Sequence, residues 1–488
     1  AHGNPRVSAG PDGDEIVAPG DPRWSNNAMT VGGGTRVYGA QAWRFCPEDF
    51  AMASTYGVPQ GSSLADWPLT YDDLEPYYDR AEWEIGVSGD PGGHAYAGGR
   101  TRGYPMPPVR PNGTARPLAR GAGALGLRTS PVPLLINSVP YHGRGACVGC
   151  ATCVGFGCRG EFKNDTRNTV IPRALATGRC DLLTDAQVTA IGTDPRHGTV
   201  GDVTVHTVRD GRPARRTVPA DRVVVAAGAV ETARLLLASG SDREPFGLGA
   251  PRDEGGHLGR HLQGHVYAGA FALFDDPVQD CVGPGPSIAT HDYRHHNDGI
   301  VGGGMLANDF VQTPLQAYAA LSRLGAIPAW GAGARDGMRT LYRRLALVTG
   351  PVQEMPNPES RVTRAVDTTD RFGAPVARLG GAVHPEDRRT AAFLAEKAAA
   401  WLTASGARTV FPYGGAPRGT PSGGQHQAGT CRMGTGPEDS VTDSWGKVWG
   451  HDNLHVADAS LHVTNGGVNP VLTILALAYR VADGILGR

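Results

Sequence analysis

The chain has 488 residues, with 46 Lys and Arg against 47 Asp and Glu and a formal net charge of −1. That length allows one to three domains with a large core, and the interspersed, balanced charge argues against nucleic acid or an acidic surface as partner. Seventy glycines and 38 prolines are scattered without period, which excludes a collagen-like repeat, and no apolar run reaches the roughly 20 residues a membrane span needs. No secretory signal is found, so localisation stays open with the cytoplasm favoured. The opening AHGNPRV lacks a Met and reads as a processed product or part of a longer one.

Residues 1–30 are polar and rich in Gly, Pro and Asp, and read as a loop or an incomplete sheet edge. Gly32, Gly33 and Gly34 then let the backbone pass close to a neighbour. WPLTYDDLEPYYDRAEWEIGV predicts a helix. Thr70 with Asp73 resembles a capping box, Pro76 lies near the start, and Leu74, Tyr77 or Tyr78, Ala81 and Ile85 form the apolar stripe. Residues 89–145 predict a long irregular connection, acting as a lid, a binding loop or an interface.

Cys147, Cys150, Cys153 and Cys158 follow, spaced C-x2-C-x2-C-x4-C. Four thiols this close suit an iron–sulfur cluster or zinc. The spacing departs from the bacterial ferredoxin run, and the favoured reading is a compact loop of reduced or partly paired cysteines without metal. No His follows either C-x-x-C, which disfavours c-type haem. Gly155, Gly157 and Gly160 spell a dinucleotide fingerprint, rejected because no strand precedes it.

NTVIPRALATGRCDLLTDAQVTAI predicts a helix, a turn at Gly178 and a strand. Val203 and Val205 fall in the next strand, with a hairpin turn at Asp210 and Gly211. In DRVVVAAGAVETARLLLASG, Val223, Val224 and Val225 predict a strand covered on both faces, then a turn at Gly228 and a helix. Strand–glycine–helix is a common nucleotide setting, although by itself it is more often architecture. Between 266 and 420, strand-like VYAGAFALF, RVTRAVDTT and APVARL surround a helix, RRTAAFLAEKAAAWLTASG. His384, His455 and His462 read as surface or structural histidines.

The last segment concentrates the chemistry. GQHQAGTCRMG carries His426 in a loop, and NLHVADAS is a short strand leading to Asp458. Asn469 suits an N-cap and Pro470 the first helical position. Val471, Ile474, Ala478, Val481 and Ile485 follow a helical period, widened by Leu472, Leu475 and Leu477. Gly466 and Gly467 let the backbone approach a flat ligand. A histidine base, an asparagine and a positive helix end are parts for moving a proton and stabilising negative charge nearby.

These C-terminal motifs resemble the signature of the glucose-methanol-choline (GMC) family of flavin oxidoreductases. His426 and Asn469 match its flavin-facing pair, in the His/Asn version similar to cholesterol oxidase and pyranose oxidase. The resemblance implies catalytic roles for both residues. It implies cofactor contacts from Gly32, Gly33, Gly34, Thr35, Tyr38 and Gly39 in the glycine segment, and from Val188, Ala227 and Gly228 in the middle. Asp458, Ala459, Asn469, Pro470 and Val471 complete that set. Val37 stands where pyranose oxidase carries its flavin-linking histidine, which implies non-covalent FAD; Tyr38 stands where cholesterol oxidase has an asparagine.

The fold implied is mixed α/β, an FAD-binding Rossmann-like domain with an antiparallel-sheet substrate domain. Residues 1–65, 146–265 and 421–488 would form the flavin side, 66–145 a helix and lid loops, and 266–420 the substrate domain. No strand–GxGxxG–helix unit precedes Thr30. That unit is expected outside this chain, or from a second chain, in preference to a loss of flavin binding. The activity implied is oxidation of the CH–OH group of a sugar, glycoside or similar secondary alcohol by hydride transfer to flavin N5. His426 would be the base, with an ordinary pKa of about 6.5, and oxygen or another acceptor would take the electrons. The alternative is a non-catalytic or electron-transfer partner subunit of a heteromeric dehydrogenase, with an iron–sulfur cluster at the four cysteines.

Overall fold

The N-terminal stretch, expected as a loop or an incomplete sheet edge, forms a hairpin at the edge of a sheet. In the computed structural model, Arg6–Gly10 pairs antiparallel with Gly13–Val17 and parallel with Pro375–Gly380. The structure describes residues 3–10, 12–21, 27–194, 197–209, 212–250, 256–414 and 425–488. The hairpin was illegible locally because its first strand is fixed by a partner near the other end of the chain, with Val7 opposite Arg378. With Arg361–Thr369 these strands make a four-stranded sheet.

The largest sheet has six strands, all antiparallel. Its order is Thr409–Tyr413, Tyr267–Leu273, Leu345–Pro351, Leu306–Asn308, Ala289–Thr290 and Thr129–Ser130. The predicted long helix, Pro385–Ala404, packs on it and buries Leu394, Ala398 and Trp401. A second helix covers the first. Ala115–Leu125 lies inside the stretch expected to be irregular, and buries Ala115, Leu118 and Ala122, spaced three and four apart. Trp401 Nε1 donates to the Leu118 carbonyl at 2.8 Å, which ties the two helices together.

Ala186–Thr193, Val200–Arg209 and Arg212–Pro219 form a separate three-stranded antiparallel sheet. The turn expected at Asp210 and Gly211 lies outside the described residues. Val223–Val225 pairs parallel with Leu454–Val456. Here the expectation of a strand covered on both faces fails. Side chains alternate, so Val225 is buried while Val224 is 46% exposed on a face that no described element covers. The following helix, Ala229–Ala238, starts after Gly228 as predicted.

Helix Tyr71–Ala81 carries both arms of the Thr70/Asp73 capping box, although Pro76 sits inside it and not at its start. It packs against the C-terminal helix Val471–Leu486, with Tyr78 Oη and Thr473 Oγ1 2.8 Å apart. That last helix begins one residue later than the sequence suggests. Pro470 is its cap residue, and Asn469 makes no capping bond because its side chain is used elsewhere. Trp43, Phe45, Phe50, Trp67, Tyr78, Leu472 and Leu477 belong to one apolar core beneath these elements. Among the described residues no helix is long and apolar enough to cross a membrane.

Candidate active site

Two short strands bring the predicted base into place. Gln263–His265 pairs antiparallel with Gln425–Ala428, and the register slips between Gln425 and Ala428. His426 sits in that irregularity with φ +64°. Such an interruption bends a strand and re-aims the side chain it carries. A non-glycine residue in the left-handed region costs about 1 kcal/mol or more. The cost is offset by a clamp: Asn465 Nδ2 donates to the His426 carbonyl at 2.7 Å, and Asn465 Oδ1 accepts from His462 Nδ1 at 3.0 Å.

The His426 ring meets a second histidine. Its Nδ1 lies 2.8 Å from Nδ1 of His265, whose Nε2 lies 2.7 Å from the Gly466 carbonyl. Burial pushes His426 well below the usual histidine range and His265 down to about 4. The ordinary pKa expected from the sequence therefore does not hold, because desolvation disfavours the charged ring. Nε2 of His426 has no hydrogen-bond partner among the described residues.

Asn469 is linked to His426 through Tyr267. One edge of its amide is tied to Tyr267 Oη at 3.1 Å, while the other edge is buried without a partner. The Tyr267 ring also packs beside His426, the two ring centroids 6.2 Å apart. Pro470 and Val471 open the C-terminal helix directly behind Asn469.

A second group of predicted residues gathers around Asp458. Gly228 N donates to its Oδ2 at 2.9 Å, as does Thr232 Oγ1 at 2.5 Å, and Ser460 N donates to Oδ1 at 2.8 Å. Ala227 N donates to Thr232 Oγ1 at 3.0 Å. Gly429 N donates to the Ala459 carbonyl at 3.1 Å, linking this group to the His426 segment. Residues 226–228 are exposed at the start of a ten-residue helix, and open space surrounds Gly228, whose φ is +81°. Val188 lies in a different sheet, paired with Val205.

The glycine segment divides. Gly33 and Gly34 face open space, and Thr35 Oγ1 donates to the Gly32 carbonyl at 2.6 Å in a short 3-10 turn. Gly39 is needed by the protein itself, since a Cβ there would stand 2.1 Å from Phe310 Cζ. Tyr38 gives its hydroxyl to the Asn164 carbonyl at 2.5 Å. Gly466 and Gly467 are likewise needed by the packing of the protein itself. Cβ atoms there would meet Phe45 Cε1 at 2.8 Å and Gly304 Cα at 2.7 Å.

The four-cysteine loop is fastened beside Tyr38. Lys163 Nζ donates to the carbonyls of Tyr38, Cys153 and Phe156, and Gly155 N donates to the Val37 carbonyl at 2.8 Å. All four thiols are free. A tetrahedral zinc, with Zn–S of about 2.3 Å, needs sulfurs about 3.8 Å apart. Among the described residues the metal-capable atoms found within 4.8 Å of one another belong to Cys46, Asp49 and His295, and Asp49 is already the counter-ion of Arg294.

Sequence reasoning missed His265, Tyr267 and Asn465. A signal existed for the first two: Gln263, His265 and Tyr267 recur every second residue, the spacing of one strand face. The open backbone at Gly33, Gly34 and Gly228 and the exposed helix start fit a large, polar, anionic cofactor such as FAD.

Comparison with known proteins agrees. Two GMC oxidoreductase family models match residues 21–267 and 356–478. The chain is 32% identical to 2-methyl-1,2-propanediol dehydrogenase of Mycolicibacterium austroafricanum, over 99% of this chain and 85% of that protein. It is 31% identical to paromamine 6'-oxidase of Streptomyces fradiae, over 96% of this chain and 80% of that protein. The structure of pyridoxine 4-oxidase from Mesorbium loti superposes with a TM-score of 0.61 at 18% identity, covering 99% of this chain and 88% of that one, a likeness of fold. The chain therefore belongs to the GMC oxidoreductases, and is an FAD-dependent oxidoreductase.

Proposed function

We propose that this oxidoreductase converts the CH–OH group of a sugar, polyol or similar alcohol to a carbonyl, with His426 as the base and Asn469 orienting the substrate oxygen. The observation that supports the reading is the open Nε2 of a neutral His426, linked to Asn469 through Tyr267, whose ring lies near His426 and whose hydroxyl binds the Asn469 amide. The hydride acceptor is supplied by FAD when bound. The protein's own part is the proton. A neutral imidazole accepts the hydroxyl proton at Nε2 as the carbon gives up its hydride, and the Asn469 Nδ2 proton not given to Tyr267 would donate to the oxygen while negative charge develops on it. Depressed basicity keeps His426 unprotonated throughout the neutral range. Amide dipoles at the start of the C-terminal helix favour negative charge nearby.

Relatives acting on a diol and on paromamine support a polyol-like substrate. The test is anaerobic mixing of the flavin-loaded protein with glucose, fructose or 1,2-propanediol while the flavin absorption bleaches. A substrate should bleach it, and His426→Ala should slow that bleaching by about 10²–10⁴-fold. Bleaching of the variant at near-normal rates would end the assignment of the base. A purified protein with no flavin absorption after FAD loading would remove the enzymatic reading altogether.

A further inference from the structure

We infer that His265 is a positioning residue that fixes the tautomer of His426, so that its free lone pair stands on Nε2. The inference rests on the reading of His426 as the base, and the argument is one of donors and acceptors. The Gly466 carbonyl only accepts, so the 2.7 Å contact puts a proton on Nε2 of His265. Burial keeps that ring neutral, so its Nδ1 carries a lone pair. The 2.8 Å contact between the two Nδ1 atoms then requires the proton on Nδ1 of His426. Nε2 of His426 is left as the acceptor. The two rings stand nearly perpendicular, at 82°, with centroids 5.0 Å apart.

The carbonyl at the end of this chain is itself held. Gly466 is pinned against Phe45, and the next carbonyl, that of Gly467, accepts from Met305 N at 2.9 Å. The other titratable groups facing the pair are His462, Tyr267 and Asp49, all buried or half-buried. When the substrate hydroxyl gives its proton to Nε2 of His426, His265 neither gains nor loses one. It continues to accept from Nδ1–H and so stabilises the imidazolium that forms.

A nearby pair shows what a closed arrangement looks like. His257 Nε2 donates to the Glu438 carbonyl at 2.7 Å, and its Nδ1 accepts from His261 Nε2 at 2.9 Å. His261 Nδ1 is then taken by Ser63 Oγ at 2.7 Å, so no nitrogen remains free. The relay at His265 ends on an unspent nitrogen, and that is the difference between a structural pair and a primed one.

The test uses the full chain and two variants. His265→Phe keeps a ring but removes the acceptor, while His265→Gln offers one acceptor and one donor. His265→Phe should lower the limiting rate of flavin reduction at least tenfold with substrate Kd within twofold. It should also move the acid limb of the pH profile to lower pH, because the imidazolium loses its acceptor. His265→Gln should recover most of the rate. Nitrogen-15 spectra of histidine-labelled protein, with His426→Ala to assign the signals, should show His426 as the Nδ1–H form in the parent and a mixture in His265→Phe. That readout needs no bound flavin. Parent-like rate and pH profile in His265→Phe, or an unchanged tautomer, would overturn the inference. If His426→Ala itself reduced flavin normally, the base assignment would fall first.

Discussion

At Gly466 three demands meet on one residue. Its φ is +61°, a Cβ would stand 2.8 Å from Phe45 Cε1, and its carbonyl receives His265 Nε2–H. Alanine there combines backbone strain with overpacking, which costs about 1–3 kcal/mol. Gly466→Ala should therefore lower the thermal midpoint and also slow flavin reduction, because the carbonyl shifts away from His265. Loss of stability with an unchanged reduction rate would separate the glycine's packing role from the histidine relay. At this scale the sequence was half legible. The motif around His426 and Asn469 names two residues that Tyr267 links in the structure, since side-chain chemistry is written in residue identity. It did not give the strength of the base, which burial sets, nor the role of the Asn469 amide, which turns towards Tyr267 and leaves the helix uncapped. His462, read as surface or structural, is fully buried and holds Asn465.

Among the elements, the cysteine loop owes its position to one lysine. Lys163 is 2% exposed, and its three protons go to carbonyls at 2.9, 2.6 and 2.9 Å with no carboxylate among these partners. Burial lowers its pKa below the ordinary lysine range. Lys163→Met would leave three carbonyls without this donor, each worth about 1–3 kcal/mol if it stays dry. The expected outcome is a loosened loop. The half-buried thiols of Cys147 and Cys153 should then react faster with a thiol reagent, towards the rate of exposed Cys150. Unchanged reactivity would mean that the loop is held by its contacts with Val37 and Gly283 instead. Elements with local signals, such as the capped helix Tyr71–Ala81 and the long helix Pro385–Ala404, were readable because cap and period lie within one turn of each other. The hairpin at Arg6–Val17 and the slipped register at His426 were not, because their partners come from distant parts of the chain.

For the whole molecule, buried neutral histidines set the acid limit of stability. His265 and His462 are pushed to about 4 by burial, and His261 and His291 well below the usual range. All four are buried, and His94 and His426 shift the same way. Each ring has a lower pKa folded than unfolded. Below about pH 6.5 the unfolded chain therefore binds more protons, and stability falls as pH falls. Two acids oppose this. Asp309 is raised to about 6 by burial, and Asp387 is raised by burial beside Glu354, so each binds its proton more readily folded than unfolded. Six histidines outnumber the two acids, so between pH 6 and 5 the unfolded chain still holds more protons and stability still falls with pH. The urea midpoint should drop clearly from pH 7 to pH 5, before most carboxylates titrate, and raising the pH again should restore it. A midpoint that stayed level over that range would show that these rings take up protons inside the fold as readily as outside it. The neutral, tautomer-fixed His426 would then lose its electrostatic basis as well.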